Sequence, residues 1–370
     1  MKILSRGVFA AFKKKVVKMD NTLLLKVLLI IALSLSTVYT ATSYRTLLFF
    51  KKEIIWTILG ILIYFIVSFI DYRKYAKYYK LIYFLNIIML VSVYIFGDSA
   101  KGAKRWIDLG VISIQPSEFS KLFIVLTFGE ILILKYNKKF SGLKDLIFSG
   151  FHILPIFLLI AKQPDLGTSL VLIFIYAVMI FVHGLDLKTI IRTVLVGAFS
   201  VPVAYIFLLK DYQKARIKTF LNPEADLMNS GWNVVQSKIA IGSGGVYGKG
   251  FLHSTQSKLK FLPESHTDFI GSVFLEERGF VGGVFLLLLY LAFIIHIIRI
   301  GDAAEDEYGK LLCYGIASIF FFHIVINVGM IMGVMPVTGL PLLFMSYGGS
   351  SFIFGFLMLG IVHSVKIHKF

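Results

Sequence analysis

The chain has 370 residues, of which 57% are hydrophobic and only 16% charged, where an ordinary soluble domain carries about a quarter charged. Its formal net charge is +17, but the basic residues fall in short connections between apolar runs, which argues against a nucleic-acid binder. The single cysteine, Cys313, excludes an intramolecular disulfide and speaks against a Cys-built metal site.

Apolar runs of about 17–25 residues match a hydrocarbon layer crossed as helix, the form in which a span pairs its own backbone groups. In chain order the predicted spans are 22–43, 51–70, 79–96, 117–135, 147–162, 167–183, 189–209, 268–299, 309–333 and 345–366. The fold class is an all-α polytopic membrane protein of about ten transmembrane helices, a single integral membrane domain over residues 1–370. Its one large extracellular loop, 210–267, precedes the eighth helix. The first run is too long for a cleaved signal and is expected to stay as an anchor. With both termini in the cytoplasm, Lys13, Lys14, Lys15, Lys18, Arg73, Lys74, Lys77, Lys80, Lys135, Lys138, Lys139 and Lys144 fall inside, as the positive-inside rule asks.

Polar clusters then collect on the outer side. In "AKGAKRWIDLGVISIQPSEFSKL" (100–122), Lys104 and Arg105 sit beside Trp106, and Gln115-Pro116-Ser117-Glu118 opens a helix. Glu118 and Lys121, three apart, share a face. "KQPDLGT" (162–168) supplies Asp165, which alone is a helix cap. "DYQKARIKTFLNPEAD" (211–226) brings Gln213 and Arg216, alone a solvated surface. "GWNVVQSKIAIGSGGVYGKGF" predicts a short amphipathic helix with Trp232, Val235, Ile239 and Ile241 on the membrane surface, then a Gly-rich turn.

In "FLPESHTDFIGSVFLEERGF" (261–280), Pro263 extends the chain and Ser265 or Thr267 is placed to cap the next helix. Asp268 falls in its first turn, with Glu276 about 12 Å deeper near the same face. Ionisable groups within spans default to functional roles because desolvation penalises them; the other reading is a cap with ion pairs. "MPVTGLPLLFMSYGGSS" (335–351) breaks helix at membrane depth, tolerable where backbone is buried in protein or lines a cavity. It offers the hydroxyls of Ser346, Tyr347, Ser350 and Ser351, or else a small-residue packing seam. Together the clusters describe an outer-leaflet cavity rimmed by Lys104, Arg105, Lys121 and Arg216 and holding isolated carboxylates. Such cations suit a phosphate-bearing lipid headgroup, and such a carboxylate suits general-base work on a hydroxyl.

These motifs, with "AIGSGGVYGKGFLHSTQSKLKFLPESHTDFI", resemble the SEDS proteins (shape, elongation, division and sporulation) from about residue 25 to 365, nearer the RodA branch than the FtsW branch. The resemblance implies a ten-helix peptidoglycan glycosyltransferase that polymerises lipid II at the outer face of the cytoplasmic membrane beside a class B penicillin-binding protein transpeptidase. It matches Asp268 to the family's essential aspartate and Arg105, Glu118 and Lys121 to its sensitive basic and acidic residues, with Asp165 from "QPDLGT". The sequence departs from the family pattern at Gly271, Ser272, Leu275, Arg278 and Leu343, none of them at the expected base.

The expected reaction is an inverting single displacement with Asp268 as general base and undecaprenyl diphosphate as leaving group. Lys104, Arg105, Glu118, Lys121, Asp165 and Arg216 form the expected substrate and diphosphate site. Gln115, Gln213, Glu264, His266, Thr267, Ser346, Tyr347 and Ser350 are expected to support it, and Glu276 and Glu277 to be structural. A divalent cation, Mg or Mn, is compatible with the diphosphate but not required. The rival readings are a lipid-linked precursor transporter (flippase), an FtsW-like septal polymerase and a noncatalytic scaffold.

Overall fold

The computed structural model describes residues 21–100, 103–108, 110, 113–136, 143–203, 211–225 and 230–369. Lys13, Lys14, Lys15, Lys18, Lys138, Lys139 and the end of the expected span 189–209 lie outside the described residues. Over the described residues, each of the ten expected spans coincides with a helix. The chain begins with α1 (Asn21–Thr42), α2 (Leu48–Phe69), the short α3 (Arg73–Lys77) and α4 (Tyr79–Phe96). Three short strands, β1 (Asp98–Ala100), β2 (Ala103–Asp108) and β3 (Ser113–Ile114), form an antiparallel sheet in that order, which the all-α reading did not include. There follow α5 (Pro116–Lys135), α6 (Leu143–Lys162), α7 (Leu166–Gly184) and α8 (Leu187–Val203). The expected large loop contains α9 (Asp211–Leu221), α10 (Ser230–Gly244) and α11 (Thr255–Lys258). The last three long helices are α12 (Ile270–Asp302), α13 (Glu307–Ile331) and α14 (Gly349–Ile367).

Among the described residues, eight helices are long and apolar enough to cross a membrane. The other two expected spans are α5, whose apolar run is interrupted by Glu118, Lys121, Glu130 and Lys135, and α8, described over 17 residues. Burial sorts the helices. Most of α13 and α14 is buried, whereas α4 turns Leu81, Phe84, Leu85 and Ile88 outward, as a lipid-facing helix must. Small residues let the central helices close up: Gly60 of α2 lies against the Phe356 ring, and Gly360 of α14 against Val67. One end of the bundle carries the sheet, α9–α11 and the α13–α14 connection; we call it the loop end, and the other the far end.

Two elements depart from expectation. The buried side of α10 is Val234, Ser237, Ala240 and Gly244, while Ile239 stands exposed. The Ser237 hydroxyl bonds Ser272 (2.7 Å) and the Ile331 carbonyl (2.6 Å), and Trp232 donates to the Phe261 carbonyl. The helix is therefore docked into protein by small and polar residues, not laid on the membrane by Trp232, Val235, Ile239 and Ile241.

The second departure is in α12, which breaks at Gly279 (φ 64°, ψ −164°). A break in a span exposes backbone groups that lipid cannot satisfy, and the Gly-rich turn supplies their partners. Phe280 and Val281 donate to the carbonyls of Gly245 and Val246, and Lys249 and Gly250 donate to those of Glu276 and Glu277. The two backbones approach so closely that a Cβ on Gly279 would lie 2.3 Å from the Gly248 nitrogen. Glu276, fully buried, gathers Lys249 (2.6 Å), Ser254 (2.6 Å) and Thr255 (3.0 Å to its backbone nitrogen), and Glu277 accepts from the Leu252 nitrogen (2.7 Å). Both acids are thus structural, as expected. Gly279 occupies a backbone region essentially reserved for glycine, so Gly279→Ala is expected to cost at least about 1–3 kcal/mol, read as a lower melting temperature in detergent. Gly242→Ala in α10, where a Cβ meets nothing within 4 Å, is expected to leave that temperature unchanged or raise it.

Candidate active site

Asp268 sits in the turn that leads into α12, two residues before its first helical position; the N-cap is Phe269, with no side-chain capping bond. Thr267 and Ser265 therefore do not cap the helix. Instead Thr267 donates its hydroxyl to the Glu264 carboxylate (3.2 Å), and the backbone nitrogens of Thr267 and Phe269 both donate to the Glu264 carbonyl (3.2 Å each). Glu264 itself adopts a left-handed φ of 52°, which tightens the turn. Leu262, Phe269 and Ile270 anchor it from the apolar side, all at 0–1% exposure.

The turn is pinned to the α13–α14 connection. The Tyr347 nitrogen donates to the His266 carbonyl (2.9 Å), and the His266 ring packs against Phe49 and Tyr347. Asn327 of α13 donates to both the Asp268 carbonyl (3.0 Å) and the Leu340 carbonyl (2.8 Å). The half-buried Asp268 carboxylate consequently lies against Gly339, whose φ is 76° and whose Cβ would stand 3.8 Å from Oδ2. Next to it, the Arg216 guanidinium of α9 donates to the Thr338 carbonyl (3.4 Å). Gly167, in the first turn of α7, lets the same segment close in, with the Leu340 side chain 2.9 Å and the Thr338 carbonyl 3.2 Å from where its Cβ would be. Four separate elements thus fix the segment that faces Asp268. Ser346 steadies it further by accepting from the Leu342 nitrogen (2.8 Å), and Ser350 donates to Ser113 of β3 (2.8 Å).

Three of the expected substrate ligands lie elsewhere. Lys121 is fully buried, so it rims no cavity. Its ammonium donates to Glu118 (2.8 Å) and to His323 Nε2 (2.8 Å) and stands 4.9 Å from the centre of the Phe354 ring. An ammonium only donates, so Nε2 accepts and the ring proton resides on Nδ1, which donates to the Pro341 carbonyl (2.8 Å). Lys121 and Glu118 thereby brace the loop opposite Asp268 from behind. Asp165, 4% exposed, caps α7 through the Thr168 nitrogen (3.2 Å) and accepts from Ser117 (3.1 Å) and Gln115 (3.2 Å), tying the starts of α5 and α7 together. Arg105 donates to the carbonyls of Gln163 (3.0 Å) and Pro164 in the α6–α7 turn. Lys104 is exposed on β2, and Gln213 is half-buried on α9. Among the described residues no three His, Cys, Asp or Glu side chains gather as a protein-built metal cage requires. The donor set fits a divalent ion only as one carried in on a diphosphate and touching one or two carboxylates.

A sequence model of the FtsW/RodA/SpoVE cell cycle proteins matches residues 16–370. The chain belongs to that family. Among FtsW/RodA/SpoVE relatives, the peptidoglycan glycosyltransferase MrdB of Escherichia coli (strain K12) is 38% identical over 357 residues, covering 95% of each chain. The peptidoglycan glycosyltransferase RodA of Treponema pallidum (strain Nichols) is 34% identical, with 86% of this chain and 90% of that one covered. Stage V sporulation protein E of Bacillus subtilis (strain 168) is 35% identical over 94% and 96%. The rod shape determining protein RodA of Thermus thermophilus superposes with a TM-score of 0.72 at 29% identity, covering 95% of this chain and 98% of that one. A chain from a peptidoglycan synthase complex, described as coordinating polymerization and crosslinking, superposes with a TM-score of 0.82 at 30% identity and the same coverage. The SEDS resemblance is thereby established, and with it a multi-pass membrane protein.

In this FtsW/RodA/SpoVE member two functional-site residues escaped the sequence reading, His323 and Asn327. Both are fully buried and lie one turn apart in "FFHIVINVGM". Polar side chains four apart in an apolar span were the available signal. Asn327→Leu removes a side chain that bonds both the Asp268 carbonyl and the Leu340 carbonyl. It is expected to lower the turnover of lipid II about tenfold or more through misplacement, while the pH profile of the residual activity keeps its shape.

Proposed function

We propose that the chain is a peptidoglycan glycosyltransferase that polymerises lipid II into glycan strands during cell elongation, with Asp268 as its general base. The observation that carries this reading is a half-buried carboxylate seated on Gly339, with the Arg216 cation on the adjoining Thr338 carbonyl. A base next to a cation is what joining a hydroxyl to a diphosphate-activated sugar requires. Asp268 takes the proton of the acceptor's 4-hydroxyl as that oxygen bonds the donor's anomeric carbon. The anomeric bond to undecaprenyl diphosphate breaks on the opposite face, so configuration inverts. Arg216, with the exposed Lys104 and the remaining donors of Arg105, meets the charge that develops on the leaving diphosphate. Lys121, Glu118 and Asp165 act from behind, by holding the loop and helix ends in place.

The loop end is the outer face in this reading, and both termini are cytoplasmic. Arg73, Lys74, Lys77 and Lys80 at the far end support that orientation. The partner is a class B penicillin-binding protein transpeptidase, a reading supported by the similarity to a chain of a synthase complex described as coordinating polymerization with crosslinking. A transporter needs a passage open to both ends, whereas Glu118, Lys121 and the neutral His323 inside this bundle are buried against one another, and Glu53 is buried against Ser34. Incubating the purified chain, with and without its partner, with lipid II alone is the decisive test. Glycan polymer is expected; its absence from both reactions, with lipid II recovered intact, overturns the proposal in favour of a transporter or scaffold.

A further inference from the structure

At the far end, away from Asp268, a cavity of about 410 Å³ opens where α1, α12 and α14 meet. Its polar wall is basic. Lys26 comes from α1, His296 and Arg299 from α12, and Lys366 and Lys369 from the end of α14, and among the described residues no Asp or Glu lines it. Lys26 donates to His296 Nδ1 (2.7 Å), so the imidazole proton sits on Nε2 and both side chains are donors. Thr22 adds a hydroxyl, and the rest of the wall is aliphatic, with Ala292, Ile300 and Val365. Just beyond it on the same two helices, Leu25, Leu29, Leu291 and Ile295 are exposed at 58%, 45%, 51% and 39%. Cations at the polar end of an apolar strip match the two halves of one amphiphile.

We propose that this cavity binds the phosphate headgroup of an anionic membrane lipid, whose acyl chains lie along Leu25, Leu29, Leu291 and Ile295. Converging cations concentrate positive potential, and charge-assisted bonds to phosphate oxygens are the strong ones. A basic pocket between spans at the membrane boundary is placed to take such a headgroup. The adjoining hydrocarbon surface favours a lipid over a free anion. By holding α1, α12 and α14 together, the lipid supports the helix that begins just after Asp268 from its opposite end. The site stands apart from the glycosyl-transfer reading and does not depend on it.

The test uses the full chain, delipidated in neutral detergent, with phosphatidylglycerol, phosphatidylcholine or inorganic phosphate added, read by native mass spectrometry and thermal melting. Phosphatidylglycerol is expected to be retained and to raise the melting temperature, and the other two to do neither. Lys26→Gln/Arg299→Gln is expected to bind phosphatidylglycerol about 30-fold more weakly, each cation being worth about fivefold. Lys366→Gln alone is expected to weaken it about fivefold, which serves should the double variant fail to fold. Lys26→Arg/Arg299→Lys, which keeps the charges, is expected to stay within a few-fold of wild type. Equal retention by wild type and the neutralised variants overturns the proposal. So does an equal stabilisation by inorganic phosphate, which would make this a small-anion site.

Discussion

Asp268→Asn yields a folded protein that polymerises lipid II about 10²- to 10⁴-fold more slowly, the range that removal of a general base commands. The substitution is chosen because it keeps the size of the side chain and the backbone bonds of the turn. Asn has the size of Asp, so it fits against Gly339, and its backbone carbonyl still accepts from Asn327. The melting temperature in detergent should therefore match wild type while strand synthesis disappears. A Glu at this position carries the right group at the wrong reach. The extra methylene pushes the carboxylate into a loop braced by Asn327, Gly167, Arg216 and His323, so Asp268→Glu is expected to retain partial activity at best. An Asn variant that makes polymer at the wild-type rate would remove Asp268 from the chemistry and leave it a structural acid.

What the sequence made legible was whatever hydropathy or a local motif carries. The ten helices were visible because a span must be apolar over its own length, and the i, i+3 pairing of Glu118 with Lys121 because one helix contains both. The chemistry of Lys121 was not visible. Its second hydrogen-bond partner, His323, lies 202 residues away, and nothing around position 121 distinguishes a cation that rims a cavity from one sealed inside a bundle. The same holds for "GSGGVYGKG". Its glycines announce a turn, but that the turn would serve as the missing hydrogen-bond partner for a break at Gly279 depends on residues some thirty positions on. On α10 the large apolar residues suggested a membrane-facing stripe, whereas docking selected Ser237, Ala240 and Gly244, because close helix approach rewards small side chains.

The second large effect separates these two views of Lys121. Buried beside Glu118, it neutralises a carboxylate that is itself only 3% exposed and whose second oxygen, Oε2, has no hydrogen-bond partner. Lys121→Met leaves that charge and the acceptor of His323 uncompensated, and breaking a buried pair in this way costs about 3–5 kcal/mol. A sharp drop in melting temperature and in folded yield is therefore expected. Neutralising the orphaned partner should undo much of the damage, so Lys121→Met/Glu118→Gln is expected to melt well above Lys121→Met alone, a non-additivity that only contacting groups show. A diphosphate ligand behaves in the opposite way. Its loss would raise KM or depress kcat with the melting temperature unchanged, and Glu118→Gln would rescue nothing. Activity in the double variant then reports on the loop alone. Because His323 still donates to Pro341, polymerisation should return in part, in step with the recovered stability, whereas a variant that is restored in stability and wholly inactive would return Lys121 to the substrate site.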